Sequence, residues 1–279
     1  CYNNTFYAIV GSTQLTTTAD GIAQHCWFHW VIVRNSGTLK LYINGIERAS
    51  ASDTTNISAQ ILYIGRYGGS TADAYKVRGY MTDFRVVKGT AVYTGAFSPP
   101  SGPLTKTGGT YPSTTNVNNA ITSGHTKLLI NFDDANITDT SQTGTIATVG
   151  DVVATTTNAK HAGQAVLYFD GSGNDYIMTD SNQPQFSTQM LVTDFTLEFY
   201  IRIAGSNAAN NSQRIFDNRH GTGGFVLILD TDNLVNSEYV SEELSHPISG
   251  FLPGSSVINS ITHLSNFLRP DCMAVLEGL

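Results

Sequence analysis

The stretch from Trp27 to Glu47 constrains this chain more than any other, because it admits little except three antiparallel strands joined by two tight turns. Trp27 to Arg34 is a run of β-branched and aromatic residues, and Asn35-Ser36-Gly37 is a turn cluster. Leu39, Leu41 and Ile43 then alternate with Lys40 and Tyr42, which is the period of a half-buried strand. Asn44-Gly45 supplies the two positive φ angles of a type I′ turn, the strongest short-range hairpin signal.

Composition agrees with a chain of strands and turns. Only 13% of the 279 residues are charged, about half the usual share of a globular domain, and Thr, Ser, Asn and Gly fill the gap. Such a composition is common in extracellular and virion β-proteins and poor for a helical enzyme. The net charge of −7 and the absence of any Lys/Arg cluster exclude a nucleic-acid partner. No apolar run approaches the length of a membrane-spanning helix, so membrane insertion is not expected. No basic-then-apolar leader opens the chain. The chain starts at Cys1 rather than Met, as a processed product or a fragment would. Cys1, Cys26 and Cys272 are odd in number and lack metal-ligand spacing.

Along the chain, strands are expected at Thr5 to Val10, Ile61 to Arg66 and Val77 to Val87, before Pro99-Pro100 stops regular structure. Residues 101–126, poor in large apolar side chains, read as a linker. Strands resume at Leu128 to Phe132, near Ile146 and Val152, at Ala165 to Phe169, and at Tyr176 to Met178. Phe195, Leu197, Phe199, Ile201 and Ile203 alternate with Thr196, Glu198, Tyr200 and Arg202, the cleanest period-2 strand present. Arg214 to Asn218 and Phe225 to Leu229 complete the set. After residue 236 the texture changes, and Val257, Ile258, Ile261, Leu264, Phe267 and Leu268 recur at the spacing of one amphipathic helix.

Two blocks resemble the laminin-G-like, concanavalin A-like lectin/glucanase sandwich domains of phage tail fibres and other virion proteins. One runs from Trp27-Phe28-His29-Trp30-Val31 through Tyr42-Ile43-Asn44-Gly45, Ile64-Gly65-Arg66 and Gly79 to Val86 to Phe97-Ser98-Pro99-Pro100. It is similar to the C-terminal half of such a domain. The other comprises Leu129 to Phe132, Val166 to Gly171, Asp194 to Phe199, Ile215 to Asn218 and Gly224 to Leu227. It is similar to the N-terminal half. The resemblance implies residues 1–104 as a C-terminal half, 105–126 as linker, 127–235 as an N-terminal half, and 236–279 as an unassigned tail. The halves therefore stand in reversed order. Either they close on each other as a circular permutant, with Phe195 to Ile203 meeting the 27–47 stretch, or each needs a neighbouring chain to cover its open edges. The expected fold is an all-β, antiparallel two-sheet jelly-roll sandwich with a short helical C-terminal tail.

The chemistry-bearing residues point to binding rather than reaction. A retaining glycosidase needs two carboxylates about 5–5.5 Å apart, whereas Glu198 and its same-face neighbour Asp194 are four strand residues, or about 13 Å, apart. The seven histidines form no Ser-His-Asp or Cys-His grouping. His29 reads as a hydrogen-bonded core residue and Cys26 as a small filler beside it. Asp170-Gly171-Ser172-Gly173-Asn174-Asp175 offers alternating oxygens, which makes Asp170 and Asp175 candidate calcium ligands, although the Glu that completes an EF-hand loop is missing. Asp133-Asp134 is a second, weaker candidate. For a glycan, aromatic faces on an exposed sheet are the expected chemistry, and Trp30, Tyr42, Tyr63 and Tyr200 lie on strands in phases compatible with an outer face. The expectation is thus a non-enzymatic adhesion or structural module of a phage tail fibre or virion appendage, located on the virion or extracellularly. Its partners would be a host-surface glycan or polysaccharide and other virion or adhesin subunits. The alternative is a carbohydrate-binding module of a secreted bacterial adhesin or glycoside hydrolase.

Overall fold

The computed structural model describes residues 5–18, 25–58, 60–68, 75–131, 137–141, 144–180, 189–191, 193–205, 212–219 and 224–230. The tail expected to be helical, and Asp133-Asp134, lie outside these. The described strands are β1 (Thr5–Val10), β2 (Thr13–Thr18), β3 (Trp27–Asn35), β4 (Thr38–Ile43), β5 (Ile46–Ser52), β6 (Ile57–Ser58), β7 (Tyr63–Ile64), β8 (Arg78–Lys88) and β9 (Thr126–Ile130). They continue as β10 (Ile146–Val149), β11 (Val153–Thr155), β12 (Val166–Asp170), β13 (Tyr176–Thr179), β14 (Gln189–Leu191), β15 (Phe195–Ile203), β16 (Ser212–Asp217) and β17 (Phe225–Asp230). No helix among the described residues is long and apolar enough to cross a membrane.

Two antiparallel sheets form a sandwich. One runs β10-β13-β7-β16-β17-β1-β2, and the other runs β11-β12-β8-β15-β3-β4-β5. Strands from early and late in the chain interleave in both. β15 lies between β3 and β8, with Glu198 opposite Val31 on one side and Arg85 on the other. β1 pairs with β17 across the second sheet. Leu39, Leu41 and Ile43 share one continuous core with Leu197, Phe199, Phe216 and Leu227. β8 changes partner halfway: residues 78–81 face β12, and residues 84–87 face β9. Between these segments Asp83 takes a positive φ of 54°, and two residues, Asp83 and Phe84, stand opposite Phe199 alone. That is a β-bulge.

Both turns of the 27–47 stretch take the expected form, with Ser36 and Gly37 at φ 50° and 78° and Asn44 and Gly45 at 51° and 76°. The alternation of β15 also holds, since Phe195, Leu197, Phe199, Ile201 and Ile203 all enter the inter-sheet core. Its opposite face is nevertheless covered as well. Residues 89–121 fold back over the outer side of β15, β3 and β4, where Val31, Val33, Tyr42, Val92, Tyr93 and Phe97 make a second apolar cluster. Thr196 Oγ1 accepts from Val92 N at 2.8 Å, and the Tyr200 hydroxyl donates to the Pro100 carbonyl at 2.5 Å. The half-buried strand read from the period is in fact buried on both faces. Residues 105–126 join this cover, with Ile121 in the outer cluster and Tyr111 packed against it.

Candidate binding site

The aromatic residues singled out from sequence do not form one exposed platform. Trp30 points into the inter-sheet core, its ring 4.2 Å from that of Phe6. Tyr42 and Tyr200 face outward as expected, but the fold-back segment buries both. A buried ring offers no face to a sugar. Tyr63 alone is partly exposed. Cys26, expected to be a filler, is disulfide-bonded and half-buried.

Glu198 and Asp194 also have separate fates. Asp194 caps a turn, its Oδ1 accepting from Ser36 N at 2.8 Å. Glu198 is sealed beneath the fold-back segment, where Oε1 accepts from Arg85 Nε at 2.9 Å and Nη2 at 2.5 Å. Its Oε2 accepts from the Tyr93 hydroxyl at 2.6 Å and lies 3.2 Å from His29 Nε2. His29 is buried and hydrogen-bonded, as its place in an apolar strand suggests. Burial pushes the Glu198 carboxyl up, but Arg85 and the His29 and Tyr93 hydrogen bonds outweigh it and hold the group at about 2. Burial likewise pulls the Arg85 guanidinium down, and Glu198 more than offsets it. Arg85 Nη1 also donates to the carbonyls of Thr105 and Gly108 at 2.8 and 2.7 Å, which pins that loop to the sheet. Every arm of this carboxylate serves structure.

The carboxylates at the turn that carries the chain from β12 in one sheet to β13 in the other are arranged differently. Oxygen atoms of Asp151, Asp170 and Asp175 all lie within 4.8 Å of one another. Asp170 is held by an Asx turn, with Oδ1 accepting from Ser172 N at 2.6 Å and Oδ2 from Ser172 Oγ at 2.8 Å. Asp175 is buried, its Oδ1 accepts from Asp151 N at 2.9 Å, and its Oδ2 has no hydrogen-bond partner. Burial raises the Asp175 carboxyl to about 7, opposed by the Asp151 N–H and reinforced by the Asp151 and Asp170 carboxylates. The Ser172 backbone and hydroxyl bonds instead lower that of Asp170, against its burial. An orphaned buried oxygen beside two more carboxylates suits a hard divalent cation that takes oxygen ligands. The sequence picked out Asp170 and Asp175. Asp151 was missed because it approaches through β10–β11, and only the glycine before it hints at the contact: Gly150 has φ 81°, and a Cβ there would lie 2.1 Å from Asp175 Oδ1.

The outer face of the seven-stranded sheet continues from this cluster. Tyr176, next to Asp175, has its ring 5.8 Å from Tyr63 and lies 4.4 Å under the Arg66 guanidinium. Farther along, Arg214 lies over both Tyr67 and Tyr75, at 5.5 and 4.9 Å, and Arg219 lies over Tyr67 at 5.5 Å. Of these side chains only Tyr63 was foreseen. Tyr176 sits on the expected strand β13, in its outward phase, and the rest come from loop ends and a bulged position, where strand period carries no information.

Among known families, residues 3–92 match the laminin G-like model described as the concanavalin A-like lectin/glucanases superfamily. No curated protein and no solved structure matches the chain. An all-β sandwich of two antiparallel sheets whose first 90 or so residues carry this family's sequence pattern has a concanavalin A-like fold.

Proposed function

We propose that the chain is a non-enzymatic adhesion module of a virion appendage, such as a phage tail fibre, and that it contacts host-surface glycan. A divalent cation, calcium by preference, would be held by Asp151, Asp170 and Asp175 and supply Lewis-acid contacts to sugar hydroxyls. The observation that carries this reading is the buried, unpartnered Oδ2 of Asp175 inside a three-carboxylate cluster, next to the half-exposed rings of Tyr176 and Tyr63. Cation, hydroxyl and ring stacking are the three contacts that sugar recognition uses. A non-catalytic role is supported by the use of Glu198 within a buried ion pair. Virion placement rests on the low-charge, Thr/Ser/Asn/Gly-rich composition and on the resemblance of both blocks to tail-fibre domains. The insertion of β15 between β3 and β8 supports a sandwich whose late half precedes its early half in the chain.

The test is a glycan array probed with and without chelator, alongside calcium titration calorimetry. Calcium binding that is lost in Asp175→Asn, together with chelator-sensitive glycan binding, is the expected result. A flat array sinks the lectin reading, and normal calcium binding by Asp175→Asn sinks the site. The description of the matched family covers glucanases as well as lectins, which favours one alternative: a carbohydrate-binding module of a secreted adhesin or glycoside hydrolase. Flanking capsid or tail genes support the first reading, and an upstream signal peptide supports the second.

A further inference from the structure

A cavity unrelated to the carboxylate cluster opens at the other end of the eight-stranded sheet. It has a volume of about 310 Å³ and is walled by Arg34, Asp53, Thr54, Asn56, Thr193 and Asp194, with Gly37 at its edge. Arg34 is only 2% exposed. Its Nε donates to the Thr193 carbonyl at 2.6 Å, and its Nη1 donates to Asp53 Oδ1 at 2.7 Å and to the Thr55 carbonyl at 2.6 Å. The guanidinium lies over the Phe195 ring at 5.0 Å. Its Nη2 is buried with no hydrogen-bond partner. Three of the five N–H donors of the guanidinium are thus paired and the two on Nη2 are left without an acceptor, which is costly for a buried charged group.

The walls are preset. Asp53 is held from its other oxygen by the Thr13 and Thr55 hydroxyls at 2.7 and 3.0 Å. Thr193 keeps a positive φ of 58°, uncommon for a β-branched residue, and its carbonyl is the one that meets Arg34. Thr54, Asn56 and Thr193 are exposed, so solutes reach the cavity.

We propose that this cavity is a cation-independent binding site for a neutral sugar residue, with Arg34 and Asp194 reading a pair of its hydroxyls. Arg34 Nη2 donates to one hydroxyl, and another donates to the Asp194 carboxylate. Charge selects against an acid, since Arg34 is matched by Asp53 and Asp194 adds a further negative charge. Wholly polar side chains at the opening select against an apolar ligand. The volume lies at the small end of the roughly 300–1,000 Å³ range of small-molecule sites, which suits one ring rather than a chain. The site is distinct from the carboxylate cluster. Arg34 and Lys88 both face Phe195, whereas Asp170 pairs with Arg78 at the opposite end of β8, on the order of 30 Å away along the strand. The ligand class rests on the glycan reading above, but the pocket needs no metal.

The experiment is an amide chemical-shift titration of the full chain in excess EDTA with glucose, galactose, mannose, N-acetylglucosamine and, as an anionic control, methyl glucuronide. Saturable shifts at Gly37, Thr54, Asn56 and Asp194 with a neutral sugar, at a Kd of about 1–10 mM, are expected. Asp194→Asn keeps the Ser36 contact and should weaken that binding about tenfold, with the rest of the spectrum superimposable. No shift at those amides with any neutral sugar overturns the proposal, as does tighter binding of the glucuronide. Because chelator is present throughout, a silent pocket with a positive calcium-dependent array refutes the pocket alone. Pocket shifts with a flat array refute the cation-assisted reading alone.

Discussion

Glu198 lies on the strand with the plainest alternation in the chain, and its side chain faces away from the main core as that alternation requires. Period specifies which residues share a face, but not what covers the face. The same limit explains Tyr42 and Tyr200, which occupy outer positions and are buried by residues 89–121. Trp30 differs, because β3 is largely apolar on both faces and its polar residues, His29 and Arg34, fall in opposite phases, so period alone does not say which face turns inward. The physics at Glu198 makes a sharp prediction. Glu198→Gln leaves the Arg85 guanidinium buried without its counter-charge and should cost about 3–5 kcal/mol in chemical denaturation. A hydrolase would instead lose turnover with stability intact. The carboxyl, held at about 2 against an ordinary 4.5, binds fewer protons folded than unfolded between those values. Its stabilisation is therefore complete above about pH 4.5 and lost as pH falls towards 2. Acid titration followed by circular dichroism should show this loss in the native chain and a flatter profile in Glu198→Gln. Identical acid profiles would remove Glu198 as the cause.

Turn chemistry was the most legible feature at the scale of elements. Asn44-Gly45 is a local signal that needs no tertiary partner, and it sets the β4–β5 register. What the sequence does not disclose is that the same turn carries a tertiary contact: Phe97 N donates to the Gly45 carbonyl at 3.1 Å. A Cβ on Gly45 would lie 1.8 Å from the Phe97 carbonyl oxygen, whereas one on Gly37, at a nearly equal φ, meets only Thr54 at an ordinary 3.6 Å. Gly37→Ala should therefore cost about 1–2 kcal/mol for the left-handed backbone alone, and Gly45→Ala distinctly more. Gly45→Ala should also raise hydrogen exchange at Phe97, and equal costs for the two would show that the fold-back segment is not anchored there. The β12–β13 turn, which crosses between the two sheets, behaves similarly. Its Asp-Gly-Ser-Gly turn was readable, but the pairing of Asp175 with Asp151 was not, since it depends on β10 and β11 lying in different sheets. With Asp175 raised to about 7, the folded turn takes up a proton that the unfolded chain does not. Its contribution is present below about pH 3.8 and lost as pH rises through about 7. A bound cation requires the ionised form, so calcium affinity should strengthen from pH 6 to 8, and a pH-independent affinity over that range would dissociate Asp175 from the site.

The order of strands in the two sheets was partly legible in the whole molecule, because Phe195 to Ile203 and the 27–47 stretch each present an apolar face that demands a partner. The side on which they meet, and the arrival of β8 on the far flank of β15, follow from long-range packing that leaves no local trace. The consequence is energetic. β15 takes both of its sheet neighbours, β3 and β8, from residues 1–104, and β3 takes one of its two from the later segment, so neither segment completes the sheet alone. Each fragment would also expose a central strand as an edge, a template for aggregation. The intact chain should then unfold in one cooperative transition seen alike by tryptophan fluorescence and by far-ultraviolet circular dichroism. Each fragment expressed alone should be unfolded or aggregated, and co-refolding the two should restore the protected amides of β15. A fragment 1–104 that folds alone with a sharp transition would mean that the first half closes its own core. The interleaving of β3, β15 and β8 would then be an association of two finished domains.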